Sequence, residues 1–317
     1  MLQNLQSYFS SAEIDYLTDP INHQVLDGLS SLHNVLGFNI RKEGTFKTVR
    51  LIRKQKYDLV IDLYCNPRTA LITFLSGAKF RAGFNFKNRM YAYNIIADHH
   101  DGKLSSIDYY LEMLKTLQVP VLNSKTDFPK HKANTELLDN FFQPFEGKLK
   151  IGLLMAGGWA SKKFPAKRLA LLGKMIKSKW NAEIFVGHGP MELNDFDEFK
   201  SEADYSFHKL PDKTFTDVGY SASKLDLVIV NDSGPMHVAT AAGGLVIGIF
   251  GPTNPKQWAP HGENSQWICH ENLDCIACDL LDCPKQNHPC MNELDLNNIV
   301  TLAETVLKKH NKLKKEI

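Results

Sequence analysis

Long hydrophobic runs are missing from this sequence. No apolar stretch approaches the ~18–20 residues that cross a bilayer, so no membrane span is expected. The amino end, MLQNLQSYFSSAEIDYL, has no basic segment followed by an apolar core, so no secretory signal is expected either. An excess of one charge is also missing. The 317 residues carry 37 basic and 35 acidic side chains, whereas a nucleic-acid binder would normally show a basic surplus. No 20–50-residue repeat and no low-complexity tract is present, which argues against a solenoid. Cysteine is scarce, and five of the six crowd into residues 269–290.

What is there is alternation. Short apolar strands exchange with helical segments through both halves of the chain. AEIDYL (12–17) and YDLVIDLY (57–64) read as strands. FKTVRLIRKQ (46–55), RTALITFLSG (68–77), SSIDYYLEMLKTL (105–117) and TELLDNFFQPF (135–145) read as helices. The second half repeats the theme from KIGLLMA to a long amphipathic C-terminal helix with Asp295 as its N-cap. This pattern predicts an α/β protein of two doubly wound, Rossmann-like domains facing a cleft, 1–147 and 148–317, with EGKLK (146–150) as the linker. The basic clusters at Lys162-Lys163 to Arg168 and at Lys308 to Lys315 are local, and the tail cluster reads as a solvated helix end.

Residues 226–260, DLVIVNDSGPMHVATAAGGLVIGIFGPTNPKQWAP, are the most informative. They read as strand, tight polar turn, helix and strand, which is one βαβ unit. The turn then lies at the carboxyl edge of a parallel sheet, and the helix N-terminus suits an anionic ligand such as a nucleotide phosphate. Gly234 lets backbone approach a phosphate, and Ser233 can donate to it. Asp232 cannot favour bare phosphate, so it either caps the helix or orients a neighbouring donor. His237 could donate to a phosphate or a sugar hydroxyl, and Thr253 faces the same edge. A serine-protease reading of the DSG string is discounted, because that nucleophile belongs to all-β barrels. Gly157-Gly158 followed by Lys162-Lys163 forms a second phosphate cradle. Asp62, Asn66 and Arg68 follow a strand and should face the cleft. Arg81 and Arg89 could meet an anionic acceptor.

Taken together, NDSGPMHVATAAG with FGPTNP, IGLLMAGGWASKKFPAKRLALLGKMI (151–176) and YDLVIDLYCNPRTALITFLSGAKFRAGF (57–84) resemble glycosyltransferase family 9, the ADP-heptose:lipopolysaccharide heptosyltransferases. The resemblance implies a GT-B-like fold and inverting transfer of a heptose or related sugar from an ADP-sugar to the lipopolysaccharide core. It implies no obligate metal or cofactor. It also implies a cytoplasmic chain that meets its acceptor at the inner membrane surface. It places Lys163, in the K-F-P step, on the diphosphate ahead of Lys162. Gly187 and Glu192 are placed on the nucleoside. The family's general base is an aspartate in a glycine loop after a first strand. This sequence starts inside the segment that should follow, so that base is expected to be absent. Asp62 is then a weak substitute, and the alternative is a catalytically silent nucleotide-sugar-binding remnant.

Cys275, Cys278, Cys283 and Cys290 form C-x2-C-x4-C-x6-C. A reduced structural loop, a structural zinc site and a redox pair are the three readings. Family 9 members carry a similar loop, and none of its cysteines is expected to be catalytic.

Overall fold

The computed structural model describes residues 1–39, 42, 44–100 and 103–313. The chain divides into two compact units, Met1–Thr126 and Asp127–Ile317. Lys314 and Lys315, the end of the basic tail, lie outside the described residues.

The first unit runs α1 (Leu2–Tyr8), β1 (Asp15–Thr18), α2 (His23–Leu26), β2 (Asn34–Gly37), α3 (Thr45–Gln55), β3 (Leu59–Ile61), α4 (Pro67–Leu75), β4 (Phe80–Phe84), β5 (Ile95–Ala97) and α5 (Ser106–Thr116). Its described pairings are all parallel: β1 with β2, and β3 with β4 with β5. Local chemistry sets the helix starts. Asn66 closes a capping box with Thr69 and is followed by Pro67 at the first helical position. The Ser105 side chain caps α5.

The second unit runs α6 (Thr135–Phe142), β6 (Lys150–Leu154), α7 (Ala166–Trp180), β7 (Glu183–Gly187), α8 (Leu193–Glu202), β8 (His208–Lys209), α9 (Phe215–Lys224), β9 (Leu227–Asn231), α10 (Gly234–Ala241), β10 (Val246–Phe250), α11 (Pro255–Trp258), β11 (Ser265–Cys269), α12 (Pro289–Asn292) and α13 (Leu296–Lys309). The strand order is β11-β10-β9-β6-β7-β8, parallel throughout. Its strands read as unbroken apolar runs because both faces are covered. Ile151 and Leu153, Ile184 and Val186, Leu227 and Ile229, and Ile247 and Ile249 enter one core with α7, α8 and α13. Leu154, Phe185, Val228, Val230, Val246 and Phe250 enter the other with α6, α9 and α10.

The α/β class and parallel winding stand as expected. The division of the chain falls earlier than the expected 147/148 boundary. Helix α6 was expected to end the first domain, yet it belongs to the second unit. The Asn134 amide donates to Asp217 Oδ1 (2.9 Å), the Tyr220 hydroxyl donates to Asp139, and the Phe142 ring packs tilted against Phe185. EGKLK therefore joins two elements of one unit.

Helix α9 opens with a capping box of Thr214 and Asp217. Just before it, Asp212 accepts from the Ser221 hydroxyl at 2.6 Å, while its second oxygen is buried without a partner. Burial pushes the Asp212 carboxyl up to about 6, against the Ser221 hydrogen bond and aided by Asp217. A raised carboxyl pKa means that the folded chain binds the proton more tightly than the unfolded chain. Stability is then greatest at low pH and declines as pH rises from about 4 to about 6. Asp212→Asn is expected to raise the melting temperature at about pH 7.5 and to change it little at about pH 4. Thermal unfolding across that range checks this, and an equal gain at both ends would rule ionisation out as the cause.

Candidate functional site

In the second unit, chain direction across the sheet reverses between β6 and β9. From β6 the order proceeds outward to β7 and β8, and from β9 outward to β10 and β11. Ligands of open α/β sheets bind at such a switch point, beyond the carboxyl ends of the strands. The segment after β6 there is Met155-Ala156-Gly157-Gly158. After β9 it is Asp232-Ser233, and after β10 it is Gly251-Pro252-Thr253.

Asp232 organises this edge. It is 4% exposed. Its Oδ2 accepts from the Thr253 hydroxyl at 2.6 Å and pairs with Lys162 Nζ at 2.7 Å. Of its two expected roles, it therefore takes the second and orients neighbouring donors. The cap position of α10 belongs to Ser233, whose side chain makes no cap bond and donates instead to the Asn231 carbonyl (3.0 Å). The helix thus presents its first turn without a side-chain cap.

Lys162, not Lys163, joins Asp232. A short 3-10 turn, Ala160–Lys162, delivers its ammonium to Asp232 and over the Trp159 ring, 4.3 Å from the centroid. Lys163 points the other way and pairs with Asp195 Oδ2 at 2.6 Å, in the first turn of α8. Lys162 thus faces the Asp232 edge and Lys163 faces α8, because consecutive residues leaving a turn project in different directions. Asn231 ties the lysine segment to β9 by accepting from the Phe164 amide at 3.3 Å.

His237 lies one turn into α10, exposed as a residue but with neighbouring atoms crowding its ring. Desolvation by the atoms around it lowers its pKa, Asp232 opposes this and Lys162 adds to it. The ring is therefore biased toward neutrality, which leaves one donor and one acceptor nitrogen.

The glycines separate by cause. A Cβ on Gly157 would come within 2.7 Å of Lys163 Cγ, and one on Gly187 within 2.6 Å of Leu154 Cδ2. Packing accounts for the missing side chain at both positions, and Gly187 closes β7. A Cβ on Gly158 would meet nothing within 4 Å, and one on Gly234 only Phe215 at 3.8 Å. Those two leave open space at the edge. Glu192 is 6% exposed. It precedes α8 and folds its carboxylate against Gly189.

The first-unit candidates are mostly employed elsewhere. Asp62, the weak candidate for a base, is 5% exposed. It accepts from the Tyr64 and Cys65 amides and from the Tyr93 hydroxyl (2.8 Å). Three donors thus meet one buried carboxylate and hold it in place. Asn66 caps α4. Arg81 donates to the carbonyls of Ala92 and Ala78. Arg89 lies 5.2 Å from the Phe86 ring centroid, and Arg68 sits in the first turn of α4.

The cysteine-rich loop supports the site from behind. The Ser161 hydroxyl donates to the Leu280 carbonyl (2.6 Å), and the His288 ring approaches the Ser161 carbonyl (2.9 Å). The Asp279 amide donates to the Pro252 carbonyl (2.6 Å). The loop thus braces both the Lys162 turn and the Thr253 turn. Cys275, Cys278, Cys283 and Cys290 are free thiols lining one cavity of about 50 Å³. Burial, then the neighbouring thiols, push Cys290 up to about 11. Among the described residues no group of His, Cys, Asp and Glu is arranged to hold a metal ion.

Sequence reasoning missed Trp159, Ser161 and His288. Trp159 had a usable signal, an aromatic between the glycine pair and the lysines. The other two act through contacts with positions more than a hundred residues away, which no local pattern reveals.

A six-stranded parallel sheet in this order, with turns converging on its switch point, defines a doubly wound, Rossmann-like protein. The chain belongs to glycosyltransferase family 9 (heptosyltransferase), whose profile matches residues 45–288. It is 27% identical over 204 residues to lipooligosaccharide heptosyltransferase 2 of Campylobacter jejuni, covering 63% of this chain and 62% of that protein. It is 25% identical over 275 residues to lipopolysaccharide heptosyltransferase 1 of Campylobacter coli, covering 80% and 79%. Among solved structures, the family 9 glycosyl transferase of Veillonella parvula superposes with a TM-score of 0.81 at 19% identity, covering 97% of this chain and 92% of that one. The E. coli heptosyltransferase WaaC with ADP gives 0.72 at 17%, covering 96% and 93%. These likenesses establish the GT-B-type fold.

Proposed function

We propose that the chain is an inverting glycosyltransferase that moves a heptose, or a related sugar, from an ADP-sugar to the lipopolysaccharide core. The observation that carries this reading is the Asp232–Lys162–Thr253 constellation at the switch point. Sugar transfer from a nucleoside diphosphate develops negative charge on the departing diphosphate. A fixed ammonium and an uncapped helix N-terminus meet that charge without reorganising. Asp232 holds Lys162 in place and spends one of its three donors, leaving others for phosphate oxygens. Ser233 and the open space at Gly158 and Gly234 complete the cradle, and His237 is within reach as a neutral donor to a sugar or phosphate oxygen. Glu192 suits ribose hydroxyls, and Arg68 and Arg89 suit an acidic acceptor.

The names of the family and of both Campylobacter relatives support the sugar and the acceptor. That the WaaC structure carries ADP supports the nucleotide. No described helix is long and apolar enough to cross a membrane, which fits an enzyme that reaches its acceptor at the inner membrane surface from the cytoplasm. Calorimetry with ADP-heptose, GDP-mannose and UDP-glucose tests the reading. ADP-heptose is expected to bind tightest, and preference for a guanosine or uridine donor would remove the assignment.

A further inference from the structure

We propose that the outer face of α3 docks on an anionic phospholipid bilayer, with a headgroup phosphate received in a groove on that face. Residues 44–57 contain Lys47, Arg50, Arg53, Lys54 and Lys56 and no carboxylate. The segment thus holds five positive charges against a whole-chain net of +2, so the rest of the chain is net negative. Thr48, Val49 and Ile52 turn inward and are buried. Phe46, Lys47, Arg50, Leu51 and Lys54 recur at the spacing of one helical face and are exposed, Phe46 at 74% and Leu51 at 40%.

On other basic helices the lysines have partners: Lys308 pairs with Glu304 on α13, and Lys167, Lys174, Lys177 and Lys179 of α7, a helix that also lacks a carboxylate, pair with Glu202, Asp204, Glu183 and Glu304. On α3, neither Arg50 nor Lys54 has an ion-pair partner among the described residues. Lys47, Thr48, Arg50, Leu51 and Lys54 line a groove of about 290 Å³. Cations gathered on one open groove suit a phosphate. Phe46 and Leu51 between the cations distinguish the occupant. Apolar side chains gain nothing from free phosphate, but they gain at the boundary between headgroups and acyl chains, where a helix can lie flat.

The inference rests on the reading that the acceptor is carried by a membrane. Its test needs neither donor nor acceptor. The whole chain is sedimented with phosphatidylglycerol vesicles and with phosphatidylcholine vesicles, and ADP binding is measured on the same samples. Binding to the anionic vesicles alone is expected, and it should be screened away at about 1 M salt. Lys47→Glu/Arg50→Glu/Lys54→Glu is expected to lose about a hundredfold in vesicle affinity, and Phe46→Ser/Leu51→Ser at least about tenfold. Both should retain wild-type ADP affinity, which shows that they fold. Three results would overturn the proposal: no vesicle binding, equal binding by the charge-reversed variant, or competition by millimolar inorganic phosphate that abolishes vesicle binding. The last would identify a free-anion site. In each case intact ADP binding leaves the glycosyltransferase reading standing.

Discussion

Lys162→Ala is expected to weaken ADP binding by about 10- to 100-fold, the loss of one charged contact of about 1.5–3 kcal/mol, while Lys163→Ala changes it by no more than about twofold. The difference follows from where the two ammoniums go. Lys162 is 16% exposed, paired to an Asp232 carboxylate that is 5% exposed, at the switch point of the sheet. Lys163 and Asp195 are 30% and 34% exposed and sit on the α8 side. A surface pair of that kind contributes little in water. Removing Lys162 also leaves Asp232 buried without its counter-ion, so part of the loss will appear as stability. Lys162→Arg keeps the charge and should recover part of both. Asp232→Asn keeps an acceptor for Thr253 but releases the lysine, and should fall between the two. Calorimetry with ADP, alongside melting temperatures, separates binding from folding. A larger loss for Lys163→Ala would restore the K-F-P lysine to the diphosphate and sink the present arrangement.

The site was legible wherever it rests on strand-to-turn punctuation. Apolar runs that stop at NDSGP, AGG and FGPT mark carboxyl ends of strands, and parallel winding puts such ends on one edge. That is enough to gather Asp232, Ser233, Gly234, Thr253 and Gly158 in one region. It is not enough to aim side chains. Whether Lys162 or Lys163 faces Asp232 depends on a three-residue 3-10 turn, and that turn is held by carbonyls of residues 280 and 281. Arg81 likewise looked like an acceptor ligand, because the sequence does not show which carbonyls its guanidinium will meet.

The fold was legible where burial on both faces wrote continuous apolar strands, as in LVIVN and VIGIF. It was harder to read where elements are short or polar. Strand β8 has two residues. Helix α9 contains Gly219 and four hydroxyl side chains. The glycine is there because a Cβ would come within 2.3 Å of the Phe128 ring, a contact with a segment far away in sequence. The division between Thr126 and Asp127 was hard to read for the same reason. The composition of EGKLK resembles a linker, but which unit owns α6 is decided by long-range packing.

That packing sets the second large effect. Phe185→Ala is expected to destabilise the second unit by about 3–5 kcal/mol. Phe185 is fully buried on β7. Its ring meets Phe142 at 5.2 Å, Phe145 at 5.1 Å edge-on, Phe141 at 6.0 Å and His208 at 5.1 Å. It is therefore the residue on which the α6 segment seats against the sheet, and the cavity left by truncation has aromatic walls on several sides that cannot all collapse into it. Phe185→Leu fills part of the space and should cost less, about 1–2 kcal/mol. Denaturant unfolding of Phe185→Ala, Phe142→Ala and the double variant checks the arrangement. Because the two rings share one cluster, the double variant should lose less than the sum of the singles, by about 0.5–3 kcal/mol of coupling. Strict additivity, or a cost for Phe185→Ala below about 1 kcal/mol, would mean that α6 does not pack on this sheet and that the expected boundary near residue 147 was nearer the truth.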